Sequence, residues 1–127
     1  MNTIVKVSDF TKFALSEEAG LSVRKRILEL WDEQDVITVD FNGISIFATP
    51  FFNSSLGYCI LTYGPDSYLN KINVVGLNLL GEETYKHSKE NAIDFYTKNL
   101  DKIEINKISR GTNTIISTKK FNWLIFG

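Results

Sequence analysis

Cysteine is almost absent from the chain. Cys59 stands alone, which excludes an intrachain disulfide and a cysteine metal cluster. Beside Leu56 and Ile60 it reads as a small core residue. Histidine is equally scarce, and the single His87 falls on the polar face of a predicted helix. There is no glycine-rich phosphate loop, no His-x-x-x-His pair and no nucleophile elbow. These absences set the expectation of a non-enzyme without cofactor or metal. Excess charge is missing too: the formal net charge is −1, so nothing gives a broad grip on nucleic acid or an anionic membrane. No long apolar run and no charged-then-apolar leader is present. The expected setting is the cytoplasm, with neither nucleic acid nor membrane as partner.

What is there fits one domain. At 127 residues, with 43% apolar and 23% charged side chains, the chain can bury a core without disulfide or metal. No repeat or low-complexity segment divides it.

The organising stretch is 36–63, VITVDFNGISIFATPFFNSSLGYCILTY. Val36 to Phe41 is a short apolar run broken by Thr38 and Asp40. Such a run suits a strand buried on both faces, in a sheet with helices above and below. Asn42-Gly43 turns the chain, and Ile44, Ile46 and Phe47 form a second apolar patch. Thr49 with Pro50 next is the expected start of a helix, Thr at the N-cap and Pro at N1. That helix carries Phe52, Leu56, Cys59 and Ile60 at helical spacing and runs to about Tyr63. Inside it, the hydroxyls of Ser54 and Ser55 are expected to bond the preceding turn.

The flanks alternate strand and helix, the signature of α/β architecture. Residues 2–7 read as a first strand. Residues 9–15 read as a turn at the sheet edge that must bury Phe10 and Phe13. Ser16-Glu17-Glu18 opens a helix by capping and by placing carboxylates at the positive dipole end. Ala19, Val23, Ile27, Leu30 and Trp31 give it one apolar stripe. Gly20 either weakens its first turn or marks a close approach. Arg24, Lys25 and Arg26 read as a solvated face. Gly64-Pro65-Asp66 is a break. Residues 71–77 form the next strand, with Gly76 marking a bulge or close backbone contact. A surface helix follows over 82–99, with Asp94 and Lys98 spaced to pair. Residues 102–126 suggest two strands and a Gly/Asn-containing loop. The domain division is therefore 1–101, with a β extension over 102–127 packed on it.

Two residues stand out chemically. Asp40 ends a buried strand, where ligands of open α/β sheets bind. It can equally accept hydrogen bonds from the turn that follows. Thr49 sits where a helix offers unpaired N–H groups, so it is either a plain cap or a phosphorylation site that switches a surface. Ala48, Pro50, Phe51 and Asn53 complete a candidate binding surface. Adjacent Phe51 and Phe52 are not expected to share one core, which suggests an exposed apolar contact.

These residues also carry a resemblance. Val39-Asp40-Phe41-Asn42-Gly43-Ile44-Ser45-Ile46-Phe47-Ala48-Thr49-Pro50-Phe51-Phe52, running on to Leu56-Gly57, is similar to the central motif of STAS-like domains. These are small bacterial relatives of the anti-sigma-factor antagonists. The helix from Ser16 to Trp31 precedes the motif and the elements 72–77 and 82–99 follow it, as in that set. The resemblance implies a mixed four- to five-stranded sheet with packed helices and a non-catalytic regulatory protein–protein interaction. The implied partner is a histidine-kinase-like ATPase. In the antagonists that partner phosphorylates a Ser at the start of this helix, a position that falls here on Thr49. Ala48 stands where the antagonists have Asp, and Pro50 replaces a second hydroxyl residue. Two other classes of function stay open. One is a nucleotide-sized ligand in the crevice past Asp40. The other is self-assembly, a homodimer paired through the C-terminal strand at 121–126.

Overall fold

The computed structural model describes residues 1–99; the β extension expected over 102–127 lies outside them. Asn2–Lys6 (β1), Val36–Asp40 (β2) and Ile72–Val75 (β3) form a sheet of order β1-β2-β3. Both pairings are parallel, with Asn2 opposite Val36 and Ile37 opposite Ile72. The expectation of four or five strands of mixed direction is thus corrected: the described residues hold three strands, all parallel. Helical crossovers separate the strands, and each carries the chain from the carboxyl end of one strand back to the amino end of the next, which is what parallel pairing requires.

The pleat also corrects the reading of β2 as buried on both faces. Ile37 and Val39 are fully buried, while Val36, Thr38 and Asp40 between them are half-buried. Val5 and Ile72 share the buried face by register. Ile4, Thr38 and Asn73 share the other, where Asn73 Nδ2 donates to Thr38 Oγ1 at 3.3 Å. Among the described residues the helices cover one face only.

Glu17–Leu30 (α1) begins as its sequence predicts: Ser16 Oγ accepts from Ala19 N at 3.0 Å. Its stripe of Val23, Ile27 and Leu30 faces the core. Thr49–Phe52 (α2), a π-helical turn at Asn53–Gly57 and Tyr58–Tyr63 (α3) follow one another without a break. This central rod lies between α1 and the last helix, Leu79–Lys98 (α5). Its π turn has no sequence signature, and its polar side chains are hydrogen-bonded within the rod and to the helices on either side. Ser54 and Ser55 both donate to Phe51 O, at 3.1 and 2.7 Å, as expected. Gly64-Pro65 does not merely break the chain: Gly64 takes φ +90° and Pro65 opens Pro65–Lys71 (α4). Helix α5 starts three residues before the expected 82, because Asn78 caps it through Gly81 N at 2.8 Å. Asp94 and Lys98 pair at 2.8 Å as their spacing predicts.

The rings of Phe47, Phe51 and Phe52 lie 5.6–6.0 Å from that of Phe41. Both Phe51 and Phe52 are fully buried. The expectation that they cannot share a core fails because the rod is flanked on two sides. Phe51 turns its carbonyl toward α1 at Gly20, while the Phe52 ring reaches Tyr85 of α5 at 5.6 Å. Tyr68 and Tyr85 join hydroxyls at 2.7 Å, and burial pushes both phenols up. Tyr63 stacks on Trp31 at 3.8 Å, and burial pushes its phenol up to about 12.

Gly20 marks a close approach, to the central rod and not to the sheet. A Cβ there would stand 1.8 Å from Ser54 Oγ and 2.5 Å from Phe51 O. Ser54 can rotate away, but the backbone carbonyl cannot. Gly20→Ala therefore loses more to the clash than the ~1 kcal/mol it gains in helix propensity. The expected net loss is about 1–3 kcal/mol in urea unfolding, whereas equal or greater stability would show that α1 does not seat on the rod in this way.

Candidate functional site

In a parallel sheet the segments that follow the strands all emerge at one end, and that end is where open α/β sheets bind. Here it carries an apolar rim. Phe10, Phe13 and Leu15 follow β1, Ile46 follows β2, and Leu79 and Leu80 follow β3; all six are exposed. The segments are tied together. Ala14 and Phe47 form a parallel bridge, with Ala14 N donating to Ile46 O at 3.0 Å and Ala48 N to Ala14 O at 2.9 Å. Asn78 Nδ2 donates to Ser45 O at 3.2 Å. Gly81 lies so close to the Phe47 ring that a Cβ would stand 2.9 Å from it. Phe10 and Phe13 are thus not buried, as their sequence neighbourhood suggests, but 39% exposed on this rim.

Thr49 follows directly on this tie, one residue after Ala48, whose N–H donates to Ala14 O. The helix begins one residue earlier than the sequence suggests: Ala48, extended at φ −148°, is the N-cap, and no side chain caps the turn. Thr49 is then the first helical residue and Pro50 the second. Ala48 and Thr49 are half-buried and Pro50 is exposed. Phe51 N donates to Ala48 O at 3.2 Å, and Pro50 has no N–H. The first turn therefore presents fewer donors to an anion than an ordinary helix start.

The other predicted residues separate into two layers. Asp40 serves its turn: Oδ1 accepts from Asn42 N at 2.9 Å and Asn42 Nδ2 at 2.7 Å. Gly76, at φ +81°, comes close enough that a Cβ would stand 3.0 Å from that oxygen and 2.6 Å from Asn42 N. This is the close backbone contact expected at Gly76. Phe51 and Asn53 do not reach the surface. Phe51 is 0% exposed and Asn53 2%, with Asn53 Oδ1 accepting from Ser88 Oγ at 2.6 Å. Both leave the candidate surface and become its support. The structure brings together Ala48, Thr49 and Pro50 and adds Phe13, Leu15, Ile46, Leu79 and Leu80. Sequence reasoning missed these five because they are spread over three separate segments. The signal that unites them is the parallel direction of the sheet.

Among the described residues no three His, Cys, Asp or Glu side chains gather as a metal site. No described helix is long and apolar enough to cross a membrane. The model of a family described as a STAS-like domain of unknown function (DUF4325) matches residues 19–82, half of the chain. This chain belongs to the STAS-like family. It has no match among curated proteins or among solved structures. The STAS-like span runs from the first turn of α1 to the first turn of α5, so it contains β2, β3 and the whole central rod. Three of the rim residues, Ile46, Leu79 and Leu80, lie within it. Phe13 and Leu15 precede it.

Burial divides this site into two testable classes. Phe51→Ala opens the core and should cost about 3–5 kcal/mol in urea unfolding. Pro50→Ala, on the surface, should stay within about 0.5 kcal/mol. A Phe51→Ala protein as stable as the wild type would contradict the placement of Phe51 beneath the rim.

Proposed function

We propose that this STAS-like domain is a non-catalytic regulatory module of the cytoplasm that docks a partner protein through the rim around Thr49. The supporting observation is the concentration of exposed apolar side chains from three separate segments at one end of the sheet. A surface of this kind excludes water when a partner covers it, and its apolar anchors supply the affinity. The resemblance to the anti-sigma-factor antagonists suggests the partner, a histidine-kinase-like ATPase. It also suggests the switch, phosphorylation of Thr49. A phosphate there would place up to about two negative charges in the centre of an apolar surface. That change releases an apolar partner through its desolvation cost alone. The sparse donors of a first turn containing Pro50 would hold the phosphate weakly, leaving its charge to act on the partner.

The test is capture from native lysate with the wild type, Ile46→Asp, Leu79→Asp and Thr49→Glu, each first shown to have the wild-type Tm. The wild type is expected to retain one ATPase partner, and the three variants to retain at least about tenfold less, the loss of ~1.4 kcal/mol of binding. Intact mass of the native protein should show one phosphate, mapped to Thr49. Variants that retain every partner of the wild type would contradict the reading.

A further inference from the structure

The sheet offers a second surface. The strand end 74–77 and the side of α5 enclose a groove of about 380 Å³, with Tyr85, Lys86 and Lys89 on its helical wall and Glu82 at one end. Among the described residues β3 has a neighbour on one side only. Phe41 N donates to Val75 O at 2.9 Å, so Val75 directs its backbone to β2. By the alternation of a parallel ladder, Val74 turns its N–H and C=O outward into the groove. Unpaired groups of this kind are a template for an added strand. The wall beside them carries two lysines against one glutamate, a net positive charge. Neither Lys86 nor Lys89 joins the ion pairs of the described residues. Lys89 Nζ instead lies 5.2 Å from the centre of the Tyr85 ring.

We infer that this groove takes an extended, acidic segment of a partner protein, added beside β3 with its backbone on Val74. Its carboxylates meet Lys86 and Lys89, and an apolar side chain packs on Tyr85. Charge selects among the occupants that an open edge could accept. Residues 100–127 of this chain carry five Lys or Arg against two Asp or Glu, so their net charge has the same sign as the wall. A second copy paired edge to edge would set the same lysines against each other. An acidic strand satisfies both the backbone edge and the wall.

The experiment is residue-resolved amide exchange on the full chain with two blocked peptides, one alternating Asp and Val, the other alternating Lys and Val. The acidic peptide is expected to slow exchange at Val74 by at least about tenfold and the basic one to leave it unchanged. Lys86→Glu combined with Lys89→Glu, each variant first shown to keep the wild-type Tm, should reverse that preference. Val74 exchanging freely at saturating acidic peptide, or responding equally to both peptides, would overturn the inference. So would a Val74 amide already protected in the chain alone: protection that survives dilution assigns the edge to residues 100–127, and protection lost on dilution assigns it to a second copy. Substitutions on the rim leave this exchange unaltered, so the two proposals fail separately.

Discussion

The structure depends on the contact between α1 and the central rod at Gly20. There the absence of a side chain lets the backbone of α1 meet that of α2. Ser54 Oγ closes the seam, donating toward Glu17 O at 3.0 Å as well as Phe51 O. A hydroxyl shared between two helices in this way satisfies carbonyls that burial would otherwise leave costly. With the rod held against α1 on one side and α5 on the other, the Phe51 and Phe52 rings, 5.5 Å apart, both pack on Phe41 in one continuous core. The polar residues of the π turn, Asn53 to Ser55, are carried inside with their hydrogen bonds made. The same seam fixes the start of the rod beside the bridge between Ala14 and Phe47. That is how the segment leading into Thr49 comes to lie beside the segment that follows β1.

The parallel sheet supplies the second constraint. Its direction gathers the connections after β1, β2 and β3 at one end. The apolar side chains those connections cannot bury then form a single surface. The STAS-like architecture thus places Thr49 at the head of the rod, at the end of the sheet that carries these exposed apolar side chains.

Much of this was legible in the sequence where the signal is local. Ser16 followed by two glutamates marks the start of α1, and the four-residue spacing of Asp94 and Lys98 marks a surface pair. The hydroxyls of Ser54 and Ser55 follow the usual habit of serine inside a helix. The motif around Asp40 to Thr49 led to the family. What was not legible depends on tertiary partners. Val36 and Val75 look like core residues, yet by alternation they lie on the uncovered face of the sheet. Asp9 to Leu15 gave no periodicity, so the exposure of Phe10 and Phe13 could not be read. Pro65 punctuates a sequence in the same way whether it ends a helix or begins one, and here it begins α4. The π turn leaves no spacing pattern, and the burial of Phe51 requires knowing that a helix lies on each side of it.

The proposed role requires that a protein partner cover the rim at the carboxyl end of the sheet in the cell. Hydroxyl-radical footprinting reads it directly, by comparing side-chain oxidation in the purified chain with that in native lysate. Phe13, Leu15, Ile46, Leu79 and Leu80 are expected to become protected in the lysate, while Ile4 and Leu69, exposed outside the rim segments, oxidise equally in both. Rim side chains that oxidise as fast in lysate as in isolation, with protection absent or confined to Ile4 and Leu69, would contradict it.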